Sequence, residues 1–123
     1  MGDIMTLLEE CIDVLGKNVE IINDLKIIDK ISSKMFFTLS GRVEWDKYRN
    51  VVKLESLNDI KSKSYFIMWT DSTLPLLKCD WNVIVENIFD VLAVSFDTWF
   101  VSDDLTEIVE IYHNGEITFG NIP

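Results

Sequence analysis

From Cys79 to Pro123 the chain contains no lysine and no arginine. Phosphate affinity is built from those two side chains, so direct nucleic-acid binding is excluded for this part of the protein. Positive charge is scarce throughout: 11 Lys+Arg stand against 21 Asp+Glu, a net charge of −10. That balance also disfavours an anionic membrane surface. Histidine is almost missing, and His113 alone would have to serve any catalytic triad, acid–base pair or His-ligand cluster. The two cysteines, Cys11 and Cys79, form no C-x-x-C and no zinc spacing, so they are expected to pack as small hydrophobes in a reducing compartment. Two prolines and five glycines leave no linker, which predicts one domain over residues 1–123. Apolar runs such as Tyr65 to Trp69 fall far short of the ~20 residues a membrane helix needs. A basic leader followed by an apolar stretch is also absent, so a cytoplasmic location is expected. Gly2 with Thr6 matches a loose acylation pattern, but Asp3 and the lack of a basic patch argue against it.

What is present is a core. At 48% hydrophobic and 11% aromatic, the chain is no disordered acidic tail. Its charge is unevenly placed. Residues 1–78 hold twelve acids and eleven bases, whereas all nine charged residues beyond them are acidic. This predicts that the C-terminal part meets a basic partner.

Asp3 to Leu15 reads as an amphipathic helix, with Ile4, Leu7, Leu8, Cys11, Ile12 and Leu15 on one stripe between an Asp3 cap and Gly16. A second helix is expected over Val19 to Ile31, with a break near Asn23-Asp24. Strands are expected at Met35–Ser40, Val43–Lys47, Val51–Leu54 and Tyr65–Thr70, with a loop at Pro75 and a short helix from Trp81 to Ile88 capped by Asp80. Ala93–Val101, Glu107–His113 and Glu116–Gly120 then form three strands. Asn114-Gly115 between the last two predicts a two-residue type I′ turn, with His113 opposite Glu116 and Glu110 opposite Phe119. The fold class is α+β, with N-terminal helices packed on one face of an antiparallel sheet that ends in a three-stranded C-terminal meander.

Catalytic chemistry is hard to find. Glu110-x-x-His113 has the spacing of half a di-iron motif, but in a strand those residues point to opposite faces. Asp97, Asp103 and Asp104 lack the spacing of a calcium loop. No nucleophile elbow or phosphate loop is present. The chain therefore reads as a binding protein and not an enzyme, with no metal and no cofactor. Trp99 stands among carboxylates, as an aromatic anchor facing a Lys/Arg-rich partner would; Trp45 is a second such position. The interface candidates are Asp97, Trp99, Asp103, Asp104, Glu110 and Glu116.

The block Ser95-Phe96-Asp97-Thr98-Trp99, with Tyr112-His113-Asn114-Gly115-Glu116-Ile117 after it, resembles the ends of small bacterial immunity proteins encoded beside polymorphic toxins, including those of contact-dependent growth inhibition systems. The resemblance covers about the last third of the chain. It implies a cytoplasmic protein that binds one cognate toxin domain, often a nuclease, and blocks it. An acidic surface filling the phosphate-binding site of a basic RNase would fit that role. The alternative from the residues alone is an acidic adaptor, or a nucleic-acid mimic that inhibits another basic protein.

Overall fold

In the computed structural model, which describes residues 5–123, the chain runs α1 (Leu7–Leu15), β1 (Glu20–Ile22), α2 (Leu25–Ser32), β2 (Arg49–Leu54), β3 (Ser64–Trp69), β4 (Leu76–Asp80), α3 (Trp81–Glu86), α4 (Ile88–Leu92), β5 (Thr98–Ser102), β6 (Glu107–Ile111) and β7 (Ile117–Asn121). Every strand pairing is antiparallel, in one sheet of order β1-β4-β3-β5-β6-β7-β2. The α+β class and the closing β5-β6-β7 meander are as the sequence predicts. Gly2, Asp3 and Ile4, invoked above for acylation, capping and the apolar stripe, lie outside the described residues.

Both faces of the central strands are apolar, so both need cover. Tyr65, Ile67, Leu77, Phe100 and Val109 face a layer made by Cys11 and Leu15 of α1, Trp81 and Ile84 of α3 and Val91 of α4. The intervening positions, Phe66, Trp99, Val101 and Ile108, face the other way, against Ile31 of α2 and Met35, Val43 and Tyr48 of the segment after it. α1 and α2 thus cover opposite faces. Both cysteines are buried free thiols. Burial pushes Cys11 up to about 12 and Cys79 to about 11, so each stays protonated and inert at neutral pH.

Local chemistry explains where the elements depart from expectation. α1 begins at a Thr6 capping box: the Glu9 amide donates to Thr6 Oγ1 and the Thr6 amide to Glu9 Oε1, each at 3.1 Å. The helix expected over Val19–Ile31 does break at Asn23-Asp24, but the part before the break is a strand and only the part after it is helix. Ile21 pairs with Leu77 in β1, and Asp24 caps α2 by accepting from the Lys26 amide at 2.9 Å. β4 follows Pro75 directly and was not anticipated. Ala93–Val101 is strand only from Thr98, because the Ala93 amide still bonds the Phe89 carbonyl and finishes α4.

The strands expected at Met35–Ser40 and Val43–Lys47 reduce to one bridge, Phe37 with Val43, and a 3₁₀ turn over Trp45–Lys47. Side chains satisfy this backbone where a ladder would have done so. The Phe36 amide donates to Tyr48 Oη, Tyr48 Oη donates to the Lys34 carbonyl, and the Val43 amide donates to Glu110 Oε2.

The final hairpin differs by one residue. Ile111 pairs with Ile117 and Glu110 with Thr118, while Tyr112 and Glu116 close a three-residue loop. Gly115 has φ +93° and Asn114 does not share the left-handed conformation. A type I′ turn needs positive φ at both central residues, so the loop lengthens and the register moves.

Candidate functional site

The six candidate residues occupy three places along the meander. Asp103 and Asp104 lie in the β5–β6 turn, at one end of β6. Asp97 and Glu116 lie at the other end, beside the β6–β7 loop, where the His113 amide and ring Nδ1 contact Asp97 Oδ1 at 2.7 and 3.1 Å. Trp99 and Glu110 are mid-strand, opposite each other in the β5–β6 register and buried under the segment that follows α2. The two turns are separated by the length of β6, so the six form no continuous surface.

Basic residues from the first 78 positions fold back onto these acids. Arg42 Nη2 lies 2.9 Å from Glu110 and 3.8 Å from Glu116, and Lys53 Nζ is 3.5 Å from Glu116. Lys63 Nζ reaches both Asp104 at 3.1 Å and Glu107 at 2.9 Å, while Lys78 stands 3.8 Å from Asp103. Part of the charge segregated along the sequence is therefore paired across the sheet. These cations come from distant elements, so no sequence spacing announces them.

Glu110 is the best-satisfied of the six. Only 1% of its side chain is exposed. Its carboxylate accepts from Arg42 Nε and Nη2, the Val43 amide at 2.8 Å, Trp99 Nε1 at 3.0 Å and Trp45 Nε1 at 3.4 Å. The two tryptophans named as partner-facing anchors instead donate inward to this one buried carboxylate. Trp99 is also held edge-on by Phe37 at 4.9 Å, and Trp45 packs so closely over β7 that a Cβ on Gly120 would come within 2.9 Å of its ring. A charge taken out of water needs this degree of pairing to persist. Glu110 joins the 42–48 segment to the sheet.

The β5–β6 turn is similarly self-contained. Asp104 Oδ1 accepts from the Ser102 hydroxyl at 2.6 Å and the Thr106 hydroxyl at 2.7 Å. Those hydroxyls, with Lys63 alongside, hold its carboxyl well below the usual carboxylate range. Tyr65 Oη donates to Glu107 at 2.6 Å; burial first, and then that bond, push the phenol upward. Asp103 and Asp104 remain exposed and Glu116 is half-exposed, whereas Asp97 is buried.

Sequence reasoning passed over two other features. A cavity of about 570 Å³ opens between α2, the Phe37 loop and the β3–β4 connection, lined by Ile22, Ile28, Phe37, Met68 and Trp99. On the opposite face, α1, α3 and α4 carry Glu9, Glu10, Asp13, Glu86 and Asp90 and no basic residue. Among the described residues these five make no ion pair. Phe89 projects from this layer with 86% of its surface exposed.

Nearly the whole chain is similar to one known family. The family model for the CdiI immunity protein, EcoliA0-like, matches residues 5–120. No curated protein matches the chain. The match spans both helical layers and all seven strands, well beyond the C-terminal third that carried the resemblance in sequence. The chain belongs to the CdiI immunity protein family, EcoliA0-like, whose members protect against toxins of contact-dependent growth inhibition.

Proposed function

We propose that this immunity protein neutralises a basic toxin domain, a nuclease such as an RNase, by laying an acidic surface over its active site. It does so in the cytoplasm, by binding and without catalysis. The observation that carries this reading is an excess of ten negative charges, with the ion pairs among the described residues all falling on acids in or beside the meander. A site built to attract a phosphate backbone attracts such a surface for the same electrostatic reason. Asp103, Asp104 and Glu116 keep solvent-facing carboxylates and belong to the proposal as rim contacts. Asp97, Trp99 and Glu110 belong to it as buried groups that hold the adjoining loops in place.

Charge complementarity raises association rates, up to about 10⁸–10⁹ M⁻¹s⁻¹ at low salt, and a stable complex of this kind buries roughly 1,600 Å² in total. The test uses the cognate toxin domain, purified and mixed with the chain. Nucleic-acid cleavage by that domain should stop at one equivalent, and the association rate should fall steeply as sodium chloride is added. An association rate indifferent to salt would sink the electrostatic reading. A toxin domain that cleaves no nucleic acid would sink the nuclease assignment.

A further inference from the structure

The outward side of the α1–α4 layer has the composition of a docking surface. Phe89 sits two residues before buried Val91, which in a helix turns it away from the core. Leu7 and Val14 are seven residues apart on α1, on one stripe with Glu10 between them, and both are exposed. Asp90 follows Phe89 directly and Glu86 precedes it by three residues, while α1 packs alongside α4, and apolar patches rimmed by charge mark interaction sites. Helix electrostatics point the same way. Asp13 lies in the last turn of α1, where the macrodipole disfavours an anion, and that turn holds no basic residue.

We infer that the cognate toxin docks on this helical layer, with Phe89 as the apolar anchor and Glu10, Asp13, Glu86 and Asp90 as the surrounding acidic ring. This rests on the reading of the partner as a basic toxin domain. The matching surface on the toxin is an apolar pocket edged by lysine and arginine, because the ring offers one sign of charge and no internal counter-ion. The meander turns, whose acids are already paired, lie away from the centre of contact.

The experiment compares Phe89→Ser, the double variant Glu10→Lys/Asp13→Lys and the double variant Asp103→Lys/Asp104→Lys against the cognate toxin domain. Affinity is read by calorimetry and the footprint by hydrogen exchange. Phe89→Ser should weaken binding roughly 30-fold or more while leaving thermal melting unchanged. Glu10→Lys/Asp13→Lys should mainly slow association, and the wild-type complex should protect α1 and α4 from exchange. Undiminished affinity of Phe89→Ser, or protection confined to the β5–β6 turn, would overturn the docking site while leaving the toxin reading intact. Phe89-dependent self-association of the free chain would assign the surface to a second copy and overturn the docking site too. Failure of the wild-type chain to bind the toxin domain would remove both readings together.

Discussion

The meander and the helical layer are both acidic, yet their acids live in opposite circumstances. In the meander, Glu110, Asp104, Glu107, Asp103 and Glu116 each lie within 4 Å of a lysine or arginine contributed by the first 78 residues. In α1, α3 and α4 the acids have no such partner among the described residues, and exposed Phe89, Leu7 and Val14 stand beside them. A run of sequence without positive charge is thus not a negatively charged surface. Neutralisation takes place in three dimensions, and here it brings Arg42 and Lys63 across the chain to the stretch that looked most acidic. The field a partner senses comes from the acids left over.

The largest effect expected from this difference is at Glu110. Glu110→Ala leaves the indole N–H groups of Trp99 and Trp45 and the Val43 amide without their acceptor, and removes the ion pair to Arg42. Breaking a buried pair of this kind costs about 3–5 kcal/mol. Urea denaturation should show a loss of that order, with indole fluorescence reporting disorder of the 42–48 segment. Truncating an acid of the helical layer should cost nothing comparable. An unchanged midpoint for Glu110→Ala would abolish the distinction between structural and free acids.

The fold was legible where local chemistry decides it and obscure where distant residues do. The period of Leu8, Cys11, Ile12 and Leu15 located α1, and the alternation around Val109 located β6, because each pattern lies within a few residues. β1 was hidden because Val19 to Ile22 is too short to separate a strand from a helix; its pairing with β4 settles the matter. The hairpin register failed over one backbone angle at Asn114. At the candidate site, the acids could be counted but their partners could not. Arg42 is 68 residues from Glu110, and nothing in either local sequence links them. Trp99 and Trp45 looked like anchors because an indole flanked by acids has the same composition whether it faces outward to a partner or inward to one carboxylate.

A smaller effect is expected at Asp104, where the meander's pairing should be visible in pH. Its carboxyl is held below the ordinary range by the Ser102 and Thr106 hydroxyls, so folding favours the ionised form. A group depressed in the folded state contributes stability above its unfolded value, near pH 4, and loses it as pH falls further. The side chain is half-exposed, so screening limits the contribution to about 1 kcal/mol. Asp104→Asn should lower the urea midpoint at neutral pH and flatten the acid limb of the stability profile below about pH 4. Parallel profiles for variant and wild type would mean that the turn's hydrogen bonds do not distinguish the two protonation states.

The smallest expected effect separates the two regions most cleanly, because its sign reverses. Asp13 sits at the C-terminal end of α1 and makes no ion pair among the described residues, so Asp13→Asn relieves an unfavourable dipole interaction and should stabilise by a few tenths of a kcal/mol. Asp103 faces Lys78 across 3.8 Å of partly exposed space, and Asp103→Asn should destabilise by a comparable few tenths. Added salt should shrink both differences, since each is a screened surface term. Denaturant midpoints for the two variants, taken at low and high ionic strength, measure this directly. Gains in the helical layer that also weaken toxin binding would mean its acids are kept for the partner at the expense of the free fold. Losses at both positions would mean the layer's acids have internal partners after all, and the two regions would then be electrostatically alike.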